Sequence, residues 1–171
     1  MPGLFLVPGI GVTGSLAAEG SGGGGAITSV ATFYATANDG FLAALGSPYA
    51  AVHDQAEAFA VDDTDNYVSL GQSYGGMFAY TISRDGLFFN TASLPDNSAI
   101  TGATLKLYGT ADYSNIDFYV TVVRGADLNV PLVLADYGDL LDETVSRGQL
   151  YTSSWVVGAY NAITFELHRS E

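Results

Sequence analysis

Residues 84–108 read RDGLFFNTASLPDNSAITGATLKLY, and this stretch decides the fold more than any other. Two runs of alternating apolar residues flank a Pro-Asp-Asn-Ser turn signal. Leu87 and Phe89 share one face of the first run, and Leu105 and Leu107 share one face of the second. Because side chains alternate between the two faces of a strand, the stretch predicts two half-buried β-strands joined by a turn.

Further short strands are predicted along most of the chain. Residues 116–124 (IDFYVTVVR) give the cleanest pattern, with Phe118, Val120 and Val122 on one face. Residues 49–59 are Ala-rich, and their neighbours favour an irregular strand over a short helix. The other predicted strands are 29–35, 67–72, 77–90, 130–134, 149–153 and 162–167, with a short helical turn at 136–144. Strand 77–90 has a break near Asp85-Gly86 as an alternative. Many short strands separated by turn residues indicate an antiparallel β-sandwich.

Composition excludes several classes of function. The chain carries 18 Asp+Glu against 5 Lys+Arg, a formal charge of −13, and it has no cysteine. Binding to a phosphate backbone needs clusters of Lys and Arg, so nucleic acid is not an expected partner. Disulfides, thiolate zinc sites and a cysteine nucleophile are impossible. We expect no cofactor.

The first 27 residues differ from the rest of the chain. Residues 1–19 are apolar, are punctuated by Gly and Pro, and lack helical periodicity, while residues 20–27 begin with a Gly-rich tether (GSGGGG). A disordered tail is one interpretation, but such tails are usually polar. We therefore predict a docking arm (1–19), a tether (20–27) and a β-sandwich domain (28–171). The arm residues expected to bury themselves on another subunit are Leu4, Phe5, Leu6, Val7, Ile10 and Val12.

The N-terminal segment also predicts where the protein is made. The first basic residue is Arg84, so the positive region that opens a secretory signal is missing. The apolar run 4–12 is too short to span a membrane. We expect synthesis in a host cytoplasm without a signal peptide and without a membrane partner.

Three motifs resemble a known family. They are YVSLGQ at 67–72, RxxLxFxTxSLP at 84–95 and AIxxATLxLY at 99–108. Together they resemble the DNRLRE-type β-sandwich, a jelly-roll module akin to carbohydrate-binding modules, in the version found in phage structural proteins. The resemblance implies an all-β fold, an antiparallel jelly-roll β-sandwich, and the N-terminal residues add an extended arm to it. The family usually has Asp where Asn90 stands. It also continues beyond the strand near Ala162, so we expect an open sheet edge that a neighbour's arm could cover.

No residue pattern predicts catalysis. His53 and His168 are the only histidines, and His53-Asp54 would point to opposite faces of a strand. A solvated turn is the favoured interpretation of the acidic loop at Asp62, Asp63 and Asp65, with a cation site as the alternative. Aromatic residues form a further candidate site, a glycan platform at Tyr113, Tyr119 and Trp155. The favoured interpretation is that aromatic residues on strands lie in the core or pair across strands.

The resulting functional prediction is a non-enzymatic virion structural protein, a phage capsid decoration or cement protein. Its arm would dock on the major capsid protein or other virion subunits, and the sandwich would lie on the outer surface of the particle. We expect a homo-oligomer with closed symmetry, which would cover the edge of the sandwich, and a trimer is the commonest capsid arrangement. The alternative is a carbohydrate-binding or host-adhesion module of a tail, fibre or surface protein.

Overall fold

A computed structural model describes residues 4–18, 27–63, 68–75, 79–95, 99–125, 127–142 and 146–165. The helices are α1 (Tyr49–His53) and α2 (Asp136–Asp142), and a 3₁₀ turn covers Thr152–Ser154. The strands are β1 (Leu4–Ala18), β2 (Ile27–Tyr34), β3 (Gly40–Gly46), β4 (Ala60–Asp62), β5 (Val68–Gly75), β6 (Ala79–Gly86), β7 (Ala99–Ala111), β8 (Tyr119–Val122), β9 (Gly148–Tyr151) and β10 (Tyr160–Thr164).

Strands form one large sheet and one two-stranded ribbon. The large sheet has the order β10-β7-β1-β5-β6-β3-β4, with β2 paired to β1, and the ribbon consists of β8 and β9. Every pairing between these strands is antiparallel. The prediction of an all-β antiparallel fold is confirmed. No helix among the described residues is long and apolar enough to cross a membrane.

Strand β1 lies inside the large sheet. Its second half pairs with β2 from Gly11↔Tyr34 to Ala18↔Ile27. Its first residues pair with β5, beginning at Leu4↔Leu70, and β7 runs along its other side. Strand β1 is therefore the element that joins the β7–β10 part of the sheet to the β5–β6 part.

Strand β5 changes partner along its length. Residues 68–70 pair with β1, whereas residues 71–75 pair with β6. The change occurs at Gly71, whose φ is 122°. This left-handed backbone region favours glycine, which has no Cβ to clash there. The glycine in the sequence motif YVSLGQ thus serves a bend between two parts of the sheet.

Two hydrophobic clusters form the core. The first, here called the ribbon cluster, packs the ribbon against β7 and β10; its buried members are Leu105, Leu107, Val120, Trp155 and Ile163. The second, here called the helix cluster, packs α1 and α2 against β3 and β6; its buried members are Leu42, Ala44, Val52, Ala58, Ile82, Leu132 and Tyr137. The alternation predicted for residues 105–107 and 118–122 is confirmed by their place in the ribbon cluster.

The first run of the deciding stretch differs from its prediction. Leu87 and Phe89 do pack against the ribbon cluster. However, β6 ends at Gly86, and beyond it Phe89 makes only an isolated bridge with Ala35. The predicted turn falls largely on residues 96–98, which lie outside the described residues.

Two other predicted strands are wrong. Residues 49–53 form helix α1, which begins after Pro48. Residues 130–134 form no strand, because the Asp136 carboxylate accepts hydrogen bonds from the Asn129 and Val133 amides at 3.1 and 2.8 Å and holds the chain in a turn before α2. Strand β3 and the pairing of Val61 in β4 were not predicted.

Candidate functional site

The predicted arm is an extended segment that pairs within its own chain. Leu4, Phe5, Leu6, Val7, Ile10 and Val12 all lie in β1. Of the predicted tether, residues 20–26 lie outside the described residues and Ile27 begins β2. Docking of the arm on another subunit stays a prediction, because the structure is that of one chain.

The predicted aromatic platform is not one surface. Tyr119 is 61% exposed on the ribbon, and its ring lies 4.8 Å from that of Tyr151. Tyr113 is 49% exposed in the loop after β7. Trp155 is only 8% exposed and belongs to the ribbon cluster, so its place in a glycan platform is a wrong prediction. Its indole packs over Gly109, where the absence of a side chain makes room.

The predicted polar sites are separated or only partly described. Asp62 ends β4 and Asp63 follows it, while Asp65 lies outside the described residues. Among the described residues, no group of three or more His, Asp or Glu could hold a metal ion. His53 ends α1, and its Nδ1 lies 2.6 Å from Asp54 Oδ1, so the two side chains meet instead of pointing apart. His168 lies outside the described residues.

A cavity of about 590 Å³ lies beside the ribbon, and sequence reasoning missed it. Its walls come from β5, β7, β8 and the loop after β8, and they are mainly aliphatic and aromatic. Leu70, Leu87, Phe89 and Leu140 are representative lining residues. This volume lies within the range of ligand pockets in proteins, which are typically about 300–1,000 Å³.

One acidic side chain lines this apolar cavity. Both carboxyl oxygens of Asp85 are buried, and neither makes a hydrogen bond with the residues the structure describes. The backbone amide of Ser69 lies near the carboxyl, but the two do not meet the geometry of a hydrogen bond. Burial raises the pKa of Asp85 well above its usual value, more than that amide lowers it. A buried acid of this kind favours its neutral form, which can donate a hydrogen bond.

An adjoining groove of about 470 Å³ shares Asp85, Thr121 and Val120 with the cavity. Two tyrosines, Tyr49 and Tyr119, line the groove. Its polar lining includes His53, Gln72, Ser83 and Arg84. Aromatic rings next to amide, hydroxyl and guanidinium groups are the ordinary components of a polar ligand groove.

The sequence contained one signal for this region. The Asp85-Gly86 pair lies within the predicted strand 77–90, and sequence reasoning interpreted it as a break in that strand. Asp85 shares the strand face of Leu87 and Phe89, and a carboxylate on an apolar face could equally have indicated a buried polar group. Which residues surround it depends on strand pairing over long sequence separations, and that pairing cannot be derived from one local pattern.

Comparisons with protein-family models, with curated proteins and with solved structures found no match for this chain. The arguments about function that follow therefore rest on the residues and their geometry.

Proposed function

We propose that this protein is a non-enzymatic structural protein of a virus particle, a capsid decoration or cement protein that acts by donating strand β1. The observation that carries the proposal is the place of Leu4–Ala18 between β7 on one side and β2 and β5 on the other. The proposal includes a jelly-roll sandwich, and the packing of the ribbon on the large sheet supports that part of it.

Main-chain pairing makes β1 exchangeable. The same backbone hydrogen bonds can form whichever copy of the chain supplies the strand, as in other cases of strand addition. Strand β1 is joined to β2 only through residues 19–26, which include Gly20 and Gly22–Gly25. A link of this composition can span a range of distances. One subunit's β1 would therefore fill the same position in a neighbour or at the edge of a capsid protein.

The proposed assembly follows from this exchange. Each subunit that gives up its β1 exposes the edges of β5 and β7, which must be covered. A closed ring covers every edge with a neighbour's strand, and a trimer is the proposed form. The partners are the major capsid protein or other virion subunits, and the sandwich lies on the outer surface of the particle.

Engineered disulfides test the exchange directly, because the chain has no native cysteine. Thr13 of β1 faces Thr104 of β7 in the sheet register. With both residues changed to Cys, oxidation of the assembled protein should give covalent oligomers on a non-reducing gel. As the matched control, Cys at Ser73 and Thr81, which face each other between β5 and β6, should cross-link only within one chain.

Two results together would refute the proposal. One is a 13–104 disulfide that forms only within single chains in the assembled state. The other is unchanged co-sedimentation with purified capsids after residues 1–19 are removed.

The tyrosine-lined groove favours a second candidate, a carbohydrate-binding or host-adhesion module. Tyr119 contributes an exposed ring to the groove, with Gln72 and Ser83 as polar neighbours. Under this candidate, glycan-array binding should be lost in Tyr119→Ala. It should persist in Tyr160→Ala, which removes another exposed tyrosine that does not line the groove.

A further inference from the structure

The cavity beside the ribbon combines an apolar interior with an unsatisfied polar group. Leu87, Phe89 and Leu105 contribute apolar walls, and the Asp85 carboxyl is buried among them without a hydrogen-bond partner in the described structure. A buried polar group without a hydrogen-bond partner destabilises the fold. A ligand that brings a hydrogen-bonding oxygen into the cavity would remove that penalty.

Positive charge in this chain is concentrated around the same cavity. Arg124 and Arg147 line it, and Arg84 lines the adjoining groove, so three of the 5 basic residues of a chain with formal charge −13 lie here. Arg124 is exposed and Arg147 is half-buried. Among the described residues, neither Arg124 nor Arg147 has a carboxylate within ion-pair distance. No described carboxylate therefore competes with an anion for these two guanidinium groups.

We propose that this cavity binds a small carboxylate with an aliphatic body and one hydroxyl group. In this arrangement Arg124 and Arg147 hold the carboxylate, the apolar walls enclose the aliphatic chain, and Asp85 hydrogen-bonds the hydroxyl. This site is independent of the strand exchange, because neither arginine nor Asp85 lies in β1.

Charge complementarity favours an anion over a cation. A cationic amine would need Asp85 ionised, and burial of that carboxyl opposes ionisation. It would also have to pass two arginines at the same cavity. An arginine–carboxylate contact, by contrast, can be bidentate and gains strength where water is partly excluded.

The test uses 10-hydroxydecanoate, decanoate and decylamine as probes, with binding to the full chain measured by isothermal titration calorimetry. We expect 10-hydroxydecanoate to bind more tightly than decanoate, and decylamine not to bind. Arg124→Gln and Arg147→Gln should each weaken binding of 10-hydroxydecanoate about tenfold, the usual effect of losing one charged hydrogen bond. Lys106→Gln removes the same charge at an exposed position outside the cavity and should leave the affinity unchanged.

Asp85→Asn tests the interior contact. It should reduce the preference for 10-hydroxydecanoate over decanoate while both arginines still hold the carboxylate. Far-UV circular dichroism of each variant establishes that it is folded before binding is compared. The proposal is overturned if the folded parent chain binds neither carboxylate, if decylamine binds more tightly, or if the double Arg124→Gln/Arg147→Gln variant binds as well as the parent.

Discussion

At the scale of single residues, Trp155 and Gly109 approach each other closely in the ribbon cluster. A Cβ at Gly109 would meet the indole nitrogen of Trp155 and would lie 2.9 Å from the Val156 carbonyl oxygen. Real Cβ atoms do not approach that closely, so either the tryptophan or the backbone would have to move. Glycine at this position is what allows the indole to be buried.

Gly109→Ala should therefore lower the free energy of unfolding by about 2 kcal/mol, the usual cost of overpacking a core. Urea denaturation followed by Trp155 fluorescence measures the change, since this is the chain's single tryptophan. Gly75→Ala is the matched control, because the nearest atom to its Cβ would be at 3.8 Å. Equal stability of the two variants would contradict the packing described here.

Asp39 is the residue that should make stability depend on pH. Its Oδ1 accepts a hydrogen bond from the Phe88 amide at 2.6 Å, and burial raises its pKa from 3.8 to about 6 despite that bond. Between these two values the folded chain holds a proton that the unfolded chain has lost. The stability that protonated Asp39 contributes to the fold is fully present below pH 3.8 and is lost as pH rises through about 6.

Asp39→Asn keeps the acceptor oxygen and removes the charge. At pH 7 it should raise the free energy of unfolding by about 1 kcal/mol, after allowance for the partial exposure of this group. Below pH 4 the difference from the parent chain should disappear. Urea denaturation at both pH values measures this, with the exposed Asp127→Asn as control. A stabilisation that is the same at both pH values would refute the assignment to ionisation.

Sequence reasoning at this scale succeeded where alternation decides burial. Val120 and Leu107 were placed on inward faces, and both are in the core. It did not decide the place of Trp155, because a ring between two serines and two valines gives no local sign of the glycine that it packs against 46 positions earlier in the sequence. It also interpreted Asp85-Gly86 as a break in a strand, and so missed that Asp85 is buried without a hydrogen-bond partner among the described residues.

At the scale of elements, Arg84 ties both helices to the large sheet. From β6 it donates hydrogen bonds to the Tyr137 carbonyl at 2.7 Å and to the His53 carbonyl at 2.8 Å. Its guanidinium also lies 4.0 Å from the centre of the Tyr137 ring. Tyr137 in turn donates to the Val52 carbonyl at 3.1 Å, so α1, α2 and β6 form one bonded unit.

Arg84→Met should lower the free energy of unfolding by about 2–3 kcal/mol, because two partly buried carbonyl groups lose a charged donor. Chemical denaturation measures the loss. Lys106→Met, which removes a positive charge from an exposed strand position, should change stability by less than about 0.5 kcal/mol. A comparable loss in both variants would show that overall charge is responsible, and would contradict the bonded unit.

The elements differ in how far sequence predicted them. Strands β2 and β5 and helix α2 match their predictions, since each carries its own periodicity or turn signals. Helix α1 has five residues, too few for a helical period to show, and is held by contacts with β3, β6 and Arg84. Residues 130–134 have a strand-like apolar pattern, but hydrogen bonds to Asp136 override it.

At the scale of the whole molecule, the order of strands was not predictable from the sequence. The N-terminal segment was recognised as extended and apolar, and sequence reasoning expected its partner to be another subunit. In the single chain, β7 and β5 provide that pairing instead. These partners lie tens of residues away, and nothing local in an apolar segment specifies which of several strands it will join.

Removal of residues 19–26 should force the exchange of β1. Ala18 faces Ile27 in the sheet register, so a direct bond between them cannot reverse the chain into a hairpin. We expect this variant to form stable oligomers by light scattering coupled to size exclusion. The control replaces residues 19–26 with eight residues of Gly and Ser and should keep the parent's oligomeric state. A folded monomer lacking residues 19–26 would contradict the proposed role of β1.

The central place of β1 also bears on how the protein is made. A ribosome synthesises Leu4–Ala18 before any strand that pairs with it, and its β7 partners, residues 99–111, emerge only after more than half of the chain. During that interval the edge of β1 that pairs with β7 stays uncovered, although β2 is made soon after β1, and an exposed apolar strand edge leads nascent polypeptides to recruit chaperones or aggregate. Low temperature, which weakens hydrophobic association, should therefore improve the soluble yield of this protein more than strengthening any single contact in the finished fold.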